Sequence, residues 1–375
     1  MKIDRRRLIE LVTGFFLASN PLQLSLAKQK SLSISKKGNL PFFLGWYDYI
    51  ENINVPGRVS SRGIDLLMPY IEKSKRETVD VFLNRAQQAK VKVLLEIYRP
   101  LVESRDIAGV QEFIRAYKDH PAVCGWYLYD EPEIKNPQPI TPDLLIEVYR
   151  AIKVIDPVKP VALIFAEIDK IAPYSNAMDI MMWDRYPCEK TNTEFSWIAA
   201  YRASLNQVSK LAKIKKKRFV NVVQAYAGHG LNKRLPTKAE FRYMFYASVL
   251  AGTEGLLFWM YNWSTPSWNE SVLYPTVKEF RGYLPSIIQR NRSKNITPAN
   301  RQDIEIKLFP IPNTPKILII AINHEKAQVD MKLKLDRQLA GKLVKSDKKI
   351  VSRISPQSDF QVKLPPYQVR LYEIG

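Results

Sequence analysis

From residue 40 onward, short apolar runs alternate with longer amphipathic stretches. The runs Phe42–Tyr49, Gly63–Met68, Val91–Ile97, Val123–Tyr129, Pro160–Phe165, Met178–Trp183, Phe219–Gln224 and Gly255–Met260 read as strands. Such near-continuous apolar runs suit strands buried inside a parallel sheet. Between them, Val79–Ala89, Asp143–Ile152, Phe195–Ile214, Thr237–Leu250 and Thr276–Gln289 carry helical spacing. Thr78 opens the first of these, and Thr141-Pro142 opens the second with proline in the first helical turn. Alternation of this kind requires parallel strands joined by helical crossovers. Eight units in roughly 250 residues is the size of a (β/α)8 barrel. The predicted fold class is therefore α/β, a TIM barrel over residues 40–295. Its second strand is the least distinct, because Gly63–Tyr70 could equally begin a helix.

After Asn300 the pattern changes. Asp303–Phe309, Lys316–Asn323, Val329–Leu335, Lys349–Ile354 and Gln361–Leu371 are short strand-like runs, separated by turn residues such as Pro310, Pro312, Pro315, Gly341 and Pro365-Pro366. No helical pattern of any length interrupts them. Residues 300–375 are expected to form a small all-β sandwich packed on the barrel.

The opening of the chain reads as an export signal over residues 1–27. Arg5-Arg6-Arg7 precede an apolar stretch from Leu8 to Leu17, and Ser25-Leu26-Ala27 offers small residues where a signal peptidase reads. Asp4-Arg5-Arg6-Arg7-Leu8-Ile9 also resembles a twin-arginine signal. Export to the periplasm or beyond, by the Sec or the twin-arginine route, is the expectation. Glu10 interrupts the apolar stretch, and the competing reading is a frayed amphipathic helix on a cytoplasmic protein. No later stretch approaches the roughly 20 apolar residues of a membrane span, so an uncleaved signal is the one membrane attachment foreseen.

Composition adds three constraints. Hydrophobic residues make up 46% of the 375 and charged residues 25%, ordinary values that leave no part disordered on composition alone. Net charge is +20, or +18 without residues 1–27, which hold Lys2, Arg5, Arg6 and Arg7 against Asp4 and Glu10. A basic surface attracts polyanions. The densest cluster, Lys213-Ile214-Lys215-Lys216-Lys217-Arg218, ends a helical pattern, where cations complement the helix dipole. No nucleic-acid module or aromatic-interleaved basic motif is present, so no nucleic-acid partner is expected. Two cysteines, Cys124 and Cys188, make no disulfide framework, and three widely spaced histidines give no metal-ligand spacing. No cofactor motif occurs, and a monomer is expected.

Candidate chemistry lies where the strands end. Val123-Cys124-Gly125-Trp126-Tyr127-Leu128-Tyr129 runs into Asp130-Glu131, and Pro132 stops the ladder. In a (β/α)8 barrel the carboxyl ends of the strands build the active site. The other rim segments are Trp46-Tyr47-Asp48, Glu96-Ile97-Tyr98-Arg99, Trp183-Asp184-Arg185-Tyr186, Gln224-Ala225-Tyr226 and Trp259-Met260-Tyr261-Asn262-Trp263, with Glu167 near the fifth strand. Acids and large aromatics thus recur at one end of the barrel. Flat aromatic faces stack on pyranose rings, and carboxylates and amides bond sugar hydroxyls. Any single tryptophan is more often core than platform, so the recurrence carries the argument. The candidate contacts are Trp46, Asp48, Glu96, Trp183, Tyr186, Gln224, Tyr226, Trp259, Asn262 and Trp263. The candidate catalytic groups are Asp130, Glu131 and Asp184.

Gly125-Trp126-Tyr127-Leu128-Tyr129-Asp130-Glu131-Pro132, with Trp183–Pro187 and Gly255–Trp259, resembles the glycoside hydrolase superfamily of (β/α)8 barrels, over residues 40–290. In the largest clan of that superfamily the fourth strand ends in Asn-Glu, the Glu being acid/base. Asp130 stands in place of that Asn, and Glu131 matches the Glu. The retaining clan places a nucleophilic Glu at the end of the seventh strand, where this chain has Gln224. Three possibilities follow from the resemblance. Glu131 acts with Asp184, the carboxyl separation then deciding retention or inversion. Alternatively Asp130 and Glu131 act together, as in hexosaminidase-type barrels where Asp orients an attacking acetamido group. In the third, the barrel binds acidic polysaccharide without cleaving it. Crowding by Asp130 and an aromatic wall raises a carboxyl pKa, which favours Glu131 as the acid. The structural alternative is that the pair merely meets Arg99 or Arg185 and closes the barrel. The resemblance implies hydrolysis of an extracellular or cell-wall polysaccharide or oligosaccharide without a cofactor. A phosphate-handling barrel is disfavoured, since only the weak Gly228-His229-Gly230 could serve as a phosphate loop.

Overall fold

Eight parallel strands close into a barrel in sequence order, with the eighth pairing back on the first. They are β1 (Phe43–Tyr49), β2 (Leu66–Tyr70), β3 (Lys92–Glu96), β4 (Val123–Asp130), β5 (Val161–Phe165), β6 (Ile180–Arg185), β7 (Arg218–Gln224) and β8 (Gly255–Trp259). The computed structural model describes residues 41–375 apart from 72–73, 135–138, 190–192 and 290–291. The signal expected over residues 1–27 lies outside the described residues.

The surrounding helices are α1 (Val55–Ser60), α2 (Arg76–Gln88), α3 (Arg99–Glu103), α4 (Ile107–Tyr117), α5 (Pro142–Ile155), α6 (Ile198–Ile214), α7 (Lys238–Ala251), α8 (Pro266–Trp268) and α9 (Tyr274–Ile287). Helices α1, α3 and α4 go beyond the periodicity reading. Two of them are only five or six residues long, and Gly109 sits inside the third. The third is still well specified: Asp106 caps it by accepting from the Gly109 N–H, and Val110, Ile114 and Tyr117 are buried. Helix α7 opens with a reciprocal capping box between Thr237 and Glu240. Strand β2 starts at Leu66 rather than Gly63, because Gly63 turns the chain at φ +82°.

Side chains alternate between two apolar layers. Phe43, Tyr47, Met68, Leu94, Tyr127, Ile164, Met182, Val222 and Leu257 fill the barrel interior. Leu44, Trp46, Leu95, Trp126, Trp183, Val223 and Phe258 point outward, into the core shared with the helices. Full burial of each such side chain contributes about 1.5–3 kcal/mol. Cys124 and Cys188 are both buried and free.

Eight further strands follow: β9 (Lys294–Asn295), β10 (Ile304–Pro310), β11 (Ile317–Asn323), β12 (Val329–Lys334), β13 (Leu343–Ser346), β14 (Lys349–Arg353), β15 (Asp359–Leu364) and β16 (Val369–Ile374). The run Gln361–Leu371 is two strands rather than one, broken at Pro365-Pro366-Tyr367, where Tyr367 has φ +56°. A six-stranded sheet in the order β14-β13-β16-β11-β10-β9 packs on the β12-β15 pair as a sandwich. Ile304, Ile306, Ile319, Ala321 and Ile374 face the pair, while Phe309, Leu318, Ile320, Ile322 and Leu371 join the core of the barrel's helices. The period of two along each strand thus glues this sheet on both faces. At the seam the Tyr243 hydroxyl lies 2.7 Å from Nδ1 of His324, whose pKa burial lowers to about 3. No helix among the described residues is long and apolar enough to cross a membrane.

Candidate active site

Strand β4 aims its own acids. Leu128 and Tyr129 both join the outer core, and pairing with β5 slips between Tyr127 and Tyr129. An irregularity of this kind re-aims the next side chain. Asp130 returns to the barrel mouth, where its Oδ1 accepts from the Tyr127 hydroxyl at 2.5 Å. Its Oδ2 faces the Tyr70 hydroxyl and Nη2 of Arg99, each at 3.4 Å. Glu131 then takes φ +44°, a left-handed conformation that costs a non-glycine residue about 1–2 kcal/mol. Its N–H donates to the Ile164 carbonyl at 3.2 Å, tying the turn to β5.

Across the mouth, β6 carries Asp184 in phase with the interior residues Ile180 and Met182. Asp184 is buried beside Glu131, and its Oδ1 meets no N–H or O–H donor among the described residues. Burial, and then the charges of Glu131 and Asp130, hold Asp184 well above the usual carboxylate range. Glu131 is raised to about 7, by burial first and by Asp130 second. Two carboxyls in contact cannot both ionise cheaply, so the pair retains a proton near neutrality. Tyr47, buried below the three acids, has its hydroxyl pKa pushed up by burial and by Asp130 and Asp184.

An aromatic wall rises beside the acids. Tyr186 stacks on Trp259 with centroids 5.2 Å apart and planes 17° apart. Tyr226 and Trp263 meet the same indole edge-on at 4.4 and 4.9 Å. The Trp259 N–H donates to the Tyr70 hydroxyl at 3.0 Å, and exposed His229 stacks on Trp263 at 4.4 Å. The peptide bond between Trp259 and Met260 is cis.

The structure thus gathers Asp130, Glu131, Asp184, Tyr186, Tyr226, Trp259 and Trp263 at one mouth. It separates the other candidates from them. Trp46 and Trp183 occupy outward positions of their strands and pack on Phe258 and Tyr201 in the outer core. Asp48 is outward too. It accepts from the Asn52 side chain at 2.9 Å, its Oδ2 meets no donor among the described residues, and burial raises it to about 6. Asn262 is exposed. Glu96 is buried and fully engaged: Oε1 binds Nε of Arg99 at 2.7 Å, Oε2 accepts from the Ile71 N–H at 2.6 Å, and burial lifts it to about 7 against the pull of Arg99. Gln224 accepts from the Cys188 N–H at 2.9 Å and donates to the Tyr226 carbonyl at 3.3 Å, which pins two rim loops together. Glu167 pairs with Lys170 at the surface. Arg99 therefore does close on Asp130, while Arg185 is exposed. Three site tyrosines went unselected in the sequence. Tyr47 and Tyr70 share the inward phase of Phe43 and Met68, so counting phase along the strand finds those two, whereas Tyr127 lies three residues past inward Cys124, beyond a slip in the β3–β4 pairing, and phase alone misses it.

No family model matches the chain, and no curated protein matches it in sequence. Solved structures do match in fold. An α-amylase from Geobacillus thermoleovorans in complex with acarbose is 10% identical, with TM-score 0.58, covering 89% of this chain and 98% of the amylase. A family 27 β-L-arabinopyranosidase from Geobacillus stearothermophilus gives 10% identity and TM-score 0.59 over 89% and 96%. A family 39 glycoside hydrolase from Bacteroides cellulosilyticus gives 12% and 0.56 over 92% and 82%. At such identities the likeness speaks for architecture alone: the chain has the barrel and C-terminal sheet domain found in glycoside hydrolases of several families.

Proposed function

We propose that the protein is a glycoside hydrolase with Glu131 as proton donor. The observation that carries this is the contact between Glu131 and Asp184 at the barrel mouth, with Glu131 raised to about 7. A glycosidic oxygen leaves only with a proton, and a donor titrating near the working pH supplies it best. Burial and the charge of Asp130 hold Glu131 protonated, and Asp184 backs it at the mouth. Two-carboxylate hydrolysis needs both acids open to the scissile bond, and Asp184 is buried behind Glu131. Asp130, fixed by Tyr127, Tyr70 and Arg99, is then the second working acid.

This favours the mechanism in which Asp130 and Glu131 serve one substrate together. Glu131 protonates the leaving oxygen as the glycosidic C–O bond breaks. Asp130 orients an acetamido group of the sugar, whose carbonyl oxygen bonds the anomeric carbon. Water, losing a proton to Glu131, then opens that ring. Trp259 and Tyr186 offer flat faces to the pyranose. Export toward an extracellular or cell-wall glycan is supported by the basic, apolar, small-residue order of residues 1–27. A second reading, a barrel that binds glycans without cleaving them, draws on Gln224 at the end of β7 and its use as a loop tie.

A hydrolysis screen over N-acetylated and plain oligosaccharides, run beside Glu131→Gln with calorimetry for binding, tests the proposal. Release from acetylated substrates that vanishes in the variant while binding persists is the expected result. Binding by both proteins with no release by either favours the second reading.

A further inference from the structure

We propose that the closed, amino-terminal face of the barrel docks on an anionic lipid bilayer through Lys213, Lys215 and Lys216 with the exposed aliphatics Ile214, Val154 and Val158. The carboxyl rim and its acid pair then point away from the lipid. This inference is independent of the glycosidase reading.

In a parallel barrel the turns from helix ends to strand starts gather on the face opposite the active site. Contacts stitch that ring here: Lys92 Nζ to the Pro121 carbonyl at 2.7 Å, Lys217 Nζ to the Met178 carbonyl at 2.8 Å, and the Arg218 N–H to the Asp179 carbonyl at 3.2 Å. The acids on this face are already neutralised. Asp156 pairs with Lys159 at 3.3 Å, Asp179 with Lys153 at 2.7 Å and Glu254 with Arg218 at 3.1 Å. Lys213, Lys215 and Lys216 are exposed at the end of α6 with no ion pair among the described residues. Their charge is therefore available to an anionic partner.

The helix dipole accounts for cations at the end of α6. It does not account for the aliphatics among them. Ile214 is 64% exposed between two of these lysines, Val154 in the last turn of α5 is 73% exposed, and Val158 on the α5–β5 connection is 49% exposed. The salt bridge of Lys153 and the hydrogen bond of Lys217 place both connections against the same Met178-Asp179 turn. Single exposed aliphatics are ordinary, but three on one lysine-rich face fit a surface that is both anionic and apolar. Lipid supplies both, with phosphates for the lysines and acyl chains for Ile214 and Val154. A soluble polyanion gives the aliphatics nothing to enter.

The test uses the full chain in sedimentation with phosphatidylcholine vesicles, with and without phosphatidylglycerol, at low and high salt. Binding to the anionic vesicles is expected, weakened about tenfold or more in Lys213→Glu/Lys215→Glu/Lys216→Glu. Val154→Ser/Ile214→Ser, a pair of surface changes that leaves the charge intact, is expected to lose binding that survives high salt. Unchanged melting temperatures show that both variants fold. Equal binding to neutral and anionic vesicles overturns the proposal, as does unchanged binding in both variants. Binding to soluble polygalacturonate but not to vesicles overturns it in favour of an acidic polysaccharide.

Discussion

Glu131 and Asp184 draw their chemistry from a crowded cluster of acids. Both are carboxyls raised by burial and by neighbouring charge, Glu131 by Asp130 and Asp184 by Glu131 and Asp130, so the folded protein binds protons that the unfolded chain releases. The sign follows: the pair costs no stability below the unfolded carboxylate pKa near 4.5, and stability falls as pH rises from there toward about 7. Asp184→Asn removes one charge at nearly constant shape. Its melting temperature is expected to exceed that of wild type at pH 8, by the equivalent of about 1 kcal/mol or more, with the gap closing near pH 4. Catalytic rate should fall at least tenfold in the same variant, since an amide cannot share a proton with Glu131. Thermal melts at the two pH values check the first statement, and turnover the second. Asp130 and Glu131 are legible in the sequence because polar residues interrupt an apolar run abruptly. Asp184, about fifty positions away, is legible as their partner only by counting strand ends around a closed barrel, and its burial behind Glu131 is not legible at all.

At the level of elements, strand phase separates contacts from core. Trp46 and Trp183 look like platforms in a list of rim residues, yet one step of phase turns each into the outer core. The slip in β4 is invisible in sequence, because Leu128 and Tyr129 fit either face. Glycine marks where strands must crowd: a Cβ on Gly125 would lie 2.7 Å from Leu94 Cδ1 and 2.9 Å from the Pro160 carbonyl. Gly125→Ala is expected to force β3 and β5 apart at the strand that carries the acids. The predicted cost is about 1–3 kcal/mol, read as a lower denaturant midpoint at unchanged slope. Gly228, with nothing near its would-be Cβ but φ +89°, marks conformational need instead.

For the whole molecule, the alternation of apolar runs and amphipathic stretches is enough to announce a barrel, and the change of period after Asn300 announces a sheet domain. The pattern does not announce that both faces of that sheet are buried. Phe309, Leu318, Ile320, Ile322 and Leu371 seal the helix layer of the barrel, and Arg202 of α6 donates to the Gln302 carbonyl at 2.8 Å. A chain ending after α9 therefore bares a broad apolar surface. It is expected to aggregate rather than yield a soluble barrel, which size-exclusion chromatography of the truncated protein reads directly.

The central claim is that Glu131 delivers the proton to the leaving oxygen, and leaving-group dependence tests it most directly. Wild type and Glu131→Gln are compared on two glycosides of the same sugar, one with an alkyl leaving group and one with dinitrophenolate, which departs without protonation. The account predicts a loss of about 10²–10⁴-fold on the alkyl glycoside and a small loss on the dinitrophenyl glycoside. Equal losses on both, or none on either, would contradict it and assign the proton to another group.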